Sequence, residues 1–184
     1  MGLWFVLKMN NLKNKNILLC VTGSIAAYKA CDLLRILRKE EANVQVAMTK
    51  SALQFIGQTS FSSLSNHEVI IEIFPSKKGE TGLEHVNLAI NLDAVIIAPA
   101  TANILGKCAT GVADDVVSTL FSICEQPTIF APAMNFRMWQ NKSTINAVDT
   151  LRKQGNIVMN PEEGQLASLH EGEGRFPDTH SIIN

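Results

Sequence analysis

The chain has 184 residues, of which 46% are apolar and 18% are charged. Domains run to about 100–200 residues and soluble chains carry about 25% charge, so these values imply one domain with a real core and exclude intrinsic disorder. Sixteen Lys and Arg against seventeen Asp and Glu leave a net charge of −1, with no basic field to attract nucleic acid or an anionic membrane. Charge this sparse implies a core large for the chain's size, or a surface partly covered in the working particle.

Residues 1–14 read as an N-terminal extension, because the apolar start Met1–Val6 is too short for a signal-peptide core and Lys8, Lys13 and Lys15 follow it. Ile17–Val21 is a continuous apolar run, as in a strand buried on both faces. After Gly23-Ser24, Ala26, Ala30, Leu33, Leu34 and Leu37 recur at helical spacing. Val44, Val46 and Met48 alternate as a second strand. Ser51–Ile56 and Phe61–Leu64 predict short helices, Val69–Phe74 a strand or extended loop, and Pro75–Thr81 a mobile loop. A helix around Leu83–Asn91 leads to a strand at Ala94–Ala98, then a helix at Thr101–Cys108. Ala113, Val116, Val117 and Leu120 share the next helical face. Thr128–Ala131 is a strand, Thr144–Gln154 a helix ending at Gly155, and Asn156–Met159 a final strand. The stretch 162–177 holds Gly164, Gly172 and Gly174 without apolar period, as in a solvated tail or a closing flap. Strands alternating with helices predict an α/β fold, a three-layer doubly wound parallel sheet.

Cys20, Cys31, Cys108 and Cys124 form no C-x-x-C pair, so they read as reduced thiols of a cytoplasmic protein. His67, His85, His170 and His180 lack metal-ligand spacing, and no metal is expected. No segment offers the roughly 18 apolar residues of a membrane span; Asn87, Asn91 and Asp93 interrupt the richest, Val86–Ala102.

Ligands of such sheets bind beyond the carboxyl ends of the strands. The first such end, Thr22-Gly23-Ser24-Ile25, lies between a strand and a helix. It suits a phosphate through backbone N–H groups and the helix dipole, or is an ordinary turn with a Ser cap. It lacks the three glycines of a dinucleotide fingerprint. Thr49-Lys50-Ser51 ends the second strand with hydroxyls and no ribose-gripping acid, which favours a mononucleotide. Pro99-Ala-Thr-Ala-Asn103 lets a flat ring approach the backbone, and Asn103 can donate and accept at its edge. Asp114 and Asp115 open a helix, where dipole complementation accounts for Asp114. Asn135 in Pro132-Ala-Met-Asn135 can bind a carboxylate without a salt bridge, and Met138-Trp139 reads as core packing. His85 is either structural or an acid–base group with a pKa suited to neutral pH. Arg175 could close over an anionic substrate.

These segments resemble the homo-oligomeric flavin-containing cysteine decarboxylases, most closely the phosphopantothenoylcysteine decarboxylase branch of coenzyme A biosynthesis. The match runs from about Asn16 to Phe176. Gly-Ser-Ile-Ala-Ala-Tyr-Lys (23–29) looks like the family's flavin-phosphate turn. Pro-Ala-Thr-Ala-Asn (99–103), with Gly106-Lys107 and Ala113-Asp114-Asp115, looks like its flavin-ring segment, and Pro-Ala-Met-Asn-Phe-Arg-Met-Trp (132–139) matches its substrate signature. The resemblance implies a Rossmann-like flavoprotein over residues 15–184, with a substrate flap at about 162–177, binding FMN where trimer subunits meet; a dodecamer is also open. It implies flavin contacts at Gly23, Ser24, Ile25, Thr49, Ser51, Thr101, Ala102, Asn103, Ser118 and Ala133. Substrate contacts fall on Met134, Asn135, Gln165, Leu166, Ala167 and Arg175, with His85 and Ser168 catalytic. The implied route oxidises the cysteine thiol to a thioaldehyde, releases carbon dioxide and re-reduces the enethiol to phosphopantetheine.

One departure stands out: Ser168 occupies the position where many members carry a proton-donating flap cysteine. Three outcomes follow: Ser168 relays a proton from water or His170, or an aminoenethiol is released as by peptidyl-cysteine decarboxylases, or the chain is a weakened variant. Gln165-Leu-Ala and Gly172-Glu-Gly-Arg175 look like the coenzyme A branch and favour the first. Flavin prenyltransferases lack the Met-Asn signature and flap, phosphatase-inhibitory relatives carry long acidic extensions, and a nucleotide-binding module without turnover is the remaining rival. Bacterial relatives often continue into a ligase domain, so the chain is either a stand-alone enzyme or half of a bifunctional one.

Overall fold

A computed structural model describes residues 12–73 and 89–183. Within it, strands β1 (Asn16–Val21), β2 (Asn43–Met48), β3 (Ala94–Ala100), β4 (Thr128–Pro132) and β5 (Ile157–Val158) form one sheet in the order β2-β1-β3-β4-β5. All four pairings are parallel. Period-2 alternation sends Ile17, Leu19 and Val21 to one face and Leu18 and Cys20 to the other, and all five are buried.

Each face is closed by its own helices. Helix α1 (Lys29–Lys39) places Leu33, Leu34 and Leu37 on the first face, together with Phe61 of α2 (Gln58–Ser65). On the second face lie α3 (Ala102–Thr110), α4 (Val116–Ile123) and, beyond the four-residue α5 (Phe136–Trp139), α6 (Lys142–Lys153), contributing Ile104, Leu105, Val117, Leu120 and Leu151. Burial of each such Leu or Ile stabilises the fold by roughly 1.5–3 kcal/mol. This is the three-layer doubly wound architecture.

Several sequence readings are corrected. Leu12 is 3% exposed within the first core, and the Asn14 N–H donates to Glu41 O at 3.0 Å. Residues 12–14 therefore pack with the fold, and residues 1–11 lie outside the described residues. Ala113 is exposed and precedes α4, which starts after its cap Asp115. Asn156–Met159 is not the last strand. A separate antiparallel hairpin follows, β6 (Glu162–Gln165) and β7 (Glu171–Arg175), and then α7 (Thr179–Ile183), whose Ile182 and Ile183 close the first core. The glycine content of 162–175 hid the hairpin, and α7 is too short for a periodic signal. The segment 69–73 is extended, with a single bridge between Ile70 and Ala47. The loop 75–81 and most of the helix expected at 83–91, His85 included, lie outside the described residues.

Candidate active site

The chain leaves β1 for β2 on one side of the sheet and later returns to β3 on the other. The carboxyl ends of β1 and β3 therefore flank a topological switch point, where open α/β sheets bind ligands. Thr22 joins these two ends. It is 2% exposed, donates from Oγ1 to Pro99 O at 2.6 Å and accepts the Thr101 N–H at 3.3 Å. Thr101 caps α3 by accepting the Ile104 N–H at 3.3 Å, and Thr49 accepts the Ala52 N–H at 3.2 Å. Their hydroxyls thus shape the site from inside.

Around this point two clefts meet at Gly23 and Thr101. The inner one, about 200 Å³, is lined by Thr22, Gly23, Thr49, Ser51, Asn103 and Lys107 among others. The outer one, about 780 Å³, runs from Ser24 and Ile25 past Ala133, Met134 and Asn135 to Gln165, Leu166, Ala167, Ser168 and Arg175. Each is polar where the strand ends reach it. At their junction the first and second strand ends touch: a Cβ on Gly23 would lie 2.5 Å from Ser51 Cβ and 3.1 Å from the Ser51 carbonyl carbon. Only glycine permits that approach. Neither the Gly23 nor the Ile25 N–H meets an acceptor among the described residues; Gly23 shares the inner cleft with the uncommitted Ser51 hydroxyl, and Ile25 lines the outer cleft that meets it at Gly23. Ser24 caps the turn by accepting the Ala26 N–H at 3.2 Å and donates to Ala133 O at 3.5 Å. Two free backbone donors and a facing hydroxyl are the donor set of a phosphate.

Across the outer cleft, Asn135 caps α5: its Oδ1 accepts the Arg137 N–H at 2.9 Å. With the amide oxygen held, the Nδ2 group is left as a neutral donor. Arg175 and Lys29 line the same cleft without an ion-pair partner among the described residues, and Lys29 Nζ sits 5.8 Å from the centre of the Phe176 ring. Lys29 is a lining residue that the sequence reading included in the 23–29 turn but gave no contact of its own. Tyr28, Phe55 and Met138 add an apolar rim, with Tyr28 57% exposed.

Not every expected residue converges. Ser118 is 2% exposed and locked in a capping box, accepting the Asp115 N–H at 3.1 Å and donating to Asp115 O at 3.1 Å. It borders a different cavity, of about 830 Å³, near the start of β4, while its capping partner Asp115 lines the inner cleft. Ala102 opens α3 and lines neither cleft. Lys107, partly buried, bridges Asp114 at 2.5 Å and Asp115 at 2.6 Å. Burial pulls the Lys107 ammonium down, but the hydrogen bonds and charges of the two acids outweigh it and hold it above its ordinary value. Burial likewise pushes the Asp115 carboxyl up, and Lys107 with the Ser118 N–H brings it below the usual range. The pair of acids thus anchors α3 to α4 at the floor of the inner cleft, beyond dipole complementation. No thiol is activated: burial pushes Cys108 up to about 12 and Cys124 up to about 11, and it holds Cys20 well above its ordinary value. Among the described residues no group of three or more His, Cys, Asp or Glu could hold a metal, and no helix is long and apolar enough to cross a membrane.

A phosphate-ready turn at the switch point, beside a cleft closed by a hairpin, defines a mononucleotide-binding α/β protein. The flavoprotein family model matches residues 7–184, and the chain belongs to that family. It is 40% identical over 172 residues to the coenzyme A biosynthesis bifunctional protein CoaBC of Bacillus subtilis (strain 168), covering 94% of this chain and 42% of the relative. The CoaBC protein of Mycobacterium tuberculosis (strain ATCC 25618 / H37Rv) is 38% identical over 168 residues, covering 91% of this chain and 40% of the relative. The chain thus spans about two fifths of these relatives' length. Among solved structures, a cysteine-to-serine mutant of a PPC decarboxylase complexed with pantothenoylaminoethenethiol superposes with a TM-score of 0.80 at 30% identity, covering 93% of this chain and 95% of the other. The FMN-dependent cysteine decarboxylase SpaF superposes with a TM-score of 0.79, also at 30% identity, covering 94% and 96%.

Proposed function

We propose that this protein is an FMN-dependent carboxy-lyase that decarboxylates phosphopantothenoylcysteine to phosphopantetheine in coenzyme A biosynthesis. The observation carrying this reading is the pairing, across adjoining clefts, of the Gly23–Ile25 phosphate donors with the neutral Asn135 donor. The CoaBC relatives and the solved decarboxylases support the same substrate class. Gly23, Ser24, Ile25 and Ser51 would hold the flavin phosphate, with Thr101, Asn103 and Ala133 beside the ring. When bound, the flavin supplies a two-electron acceptor and donor, which gives the departing carboxylate's electrons a sink that an ordinary cysteine lacks.

The chain's own residues then do four things. Asn135 donates to the substrate carboxylate without a counter-charge. A salt bridge there would stabilise the ground state more than the charge-dispersed transition state. Met134, Gln165, Leu166 and Ala167 line the cleft beside it and exclude water, with Leu166 9% exposed. Arg175 supplies positive charge at the flap for the anionic substrate. Ser168 at the flap turn, with His85 as base, moves protons. Working as a cytoplasmic homotrimer, with the rim of Ile25, Tyr28 and Phe55 covered by a second copy, fits the low charge and the free cysteines. Native mass spectrometry reads that assembly directly.

Ser168 favours a second reading, release of the aminoenethiol, because a hydroxyl is a far weaker acid than a thiol of pKa near 8.5. A solved relative with serine in place of a cysteine holds pantothenoylaminoethenethiol. Anaerobic turnover with phosphopantothenoylcysteine, and separately with a peptide ending in cysteine, tests both readings by mass spectrometry. Loss of carbon dioxide alone supports the complete reaction, and loss of carbon dioxide plus two hydrogens supports the second. A protein that takes up no FMN refutes both. His85→Asn is expected to abolish decarboxylation and leave the yellow colour.

A further inference from the structure

Strand β7 carries two glycines in five residues, Gly172 and Gly174. Glycine weakens a strand interior, so its presence there calls for a bulge, a bend or a close approach. Neither residue has a positive φ, unlike Gly164 at +146°. Their backbones could therefore be adopted by alanine, and what each provides is space. A Cβ on Gly174 would fall 2.2 Å from Met134 O and 3.3 Å from Phe136 N. One on Gly172 would fall 2.9 Å from Phe136 Cβ and 3.1 Å from its Cγ. The flap strand thus lies directly on the backbone of Met134–Phe136, and the Met134 N–H donates to Gly174 O at 3.0 Å. Leu166, the residue after β6, covers the other side, 3.4 Å from where that Cβ would be. The His170 ring approaches Phe136 with centroids 6.3 Å apart. Asn135 is the residue between the two that the flap grips.

We infer that Gly172 and Gly174 are positioning residues: they latch the flap, backbone to backbone, onto Met134–Phe136, and so fix the Asn135 amide and bring Arg175 to the outer cleft. The second half of this inference rests on the decarboxylase reading, whereas the latch itself stands on geometry alone. The contact with Gly174 is to a main-chain oxygen, so no rotamer change can relieve an added methyl there. At Gly172 the obstacle is the Phe136 side chain, which can shift in part.

The test uses the flavin-loaded full chain and compares Gly174→Ala, Gly172→Ala and Gly57→Ala, the last at a position where an added Cβ meets nothing within 4 Å. Amide exchange at Met134 and proteolysis of the 164–170 turn are read first, then KM and kcat. A latch predicts that Gly174→Ala speeds Met134 exchange and turn cleavage at least tenfold. It also predicts a KM at least tenfold higher, with kcat at saturation and flavin content changed less than threefold. Gly172→Ala follows in the same direction with a smaller effect, and Gly57→Ala matches the parent. Unchanged Met134 exchange in both flap variants overturns the latch, and unchanged KM with faster exchange overturns its role in positioning Asn135. Faster exchange in a protein that turns over no phosphopantothenoylcysteine leaves the latch standing and removes the decarboxylase reading instead. Should Gly174→Ala fail to fold, Gly172→Ala decides by the same readouts.

Discussion

The two clefts of the site are built in opposite ways. The inner one is made from the ends of strands buried on both faces, where Thr22 and Thr49 spend their hydroxyls holding neighbouring strands and turns in place. The outer one is closed by a two-stranded hairpin that is mostly exposed and docks through Gly174, Leu166 and one backbone hydrogen bond. The geometry of the inner cleft is therefore set by the packing of the whole core, and that of the outer cleft by a few local contacts. On the proposed reading, changes to the first propagate into folding or cofactor retention, and changes to the second act first on substrate handling, with a smaller effect on stability where a cap or contact is lost.

The largest expected effect breaks the inner cleft. Gly23→Ala drives a methyl against Ser51 Cβ and its carbonyl; overpacking costs about 1–3 kcal/mol, and carried through to binding that is roughly a 5–150-fold loss of flavin affinity. Fluorescence titration of the apo-protein with FMN measures it. Next comes the outer cleft, where Asn135 has both a cap and a donor to lose. Asn135→Ala removes both, lowering stability by about 1 kcal/mol. Asn135→Asp keeps the cap and opposes a carboxylate with like charge. Both should lower kcat/KM by about 100-fold, or about 2.7 kcal/mol of transition-state stabilisation, while only the alanine variant lowers Tm. A parent-like kcat/KM in Asn135→Asp, with the Tm loss confined to Asn135→Ala, would make Asn135 a cap and nothing more.

A smaller effect concerns the floor of the inner cleft. Lys107→Met leaves Asp114 and Asp115 facing each other unpaired, at a cost of about 1–3 kcal/mol for partly buried charge. Thermal unfolding should report a Tm lower by about 2–12 °C. The smallest is its pH signature. The Asp115 carboxyl is held below the usual range, and so is Asp93, through its hydrogen bonds from the Lys15 ammonium and the Asn16 N–H. Their contribution to stability is therefore complete above the unfolded pKa of about 3.9 and is lost as pH falls through the lower, folded value. Acid titration of Lys107→Met should show a shallower loss of stability in that window. Lys15→Ala should change it by less than about 1 kcal/mol, since that pair is exposed.

Most of the sheet was legible from the sequence because strands buried on both faces read as continuous apolar runs, as in Ile17–Val21 and Ala94–Ala98. The turn after β1 was legible because glycine and a capping serine stand at the strand–helix junction. Asn135 was legible as a neutral donor, but its role as a helix cap was not, since α5 is only four residues long. The flap hairpin was missed because β6 and β7 bury little and so show no period. The capping box of Ser118 was not anticipated: its flavin contact came from the family resemblance, and a serine three residues after a capping aspartate also fits the box it forms here. Lys29 was legible only as the last residue of the 23–29 turn, because its place on the outer cleft shows only once Phe176 packs near it.

The contrast between core-built and docked clefts is tested most directly by one titration series, FMN into the apo forms of the parent, Gly23→Ala and Gly174→Ala. The account predicts that Gly174→Ala binds FMN as the parent does and that Gly23→Ala binds it at least about fivefold more weakly. Parent-like affinity in Gly23→Ala, or an equal loss in both variants, would contradict it.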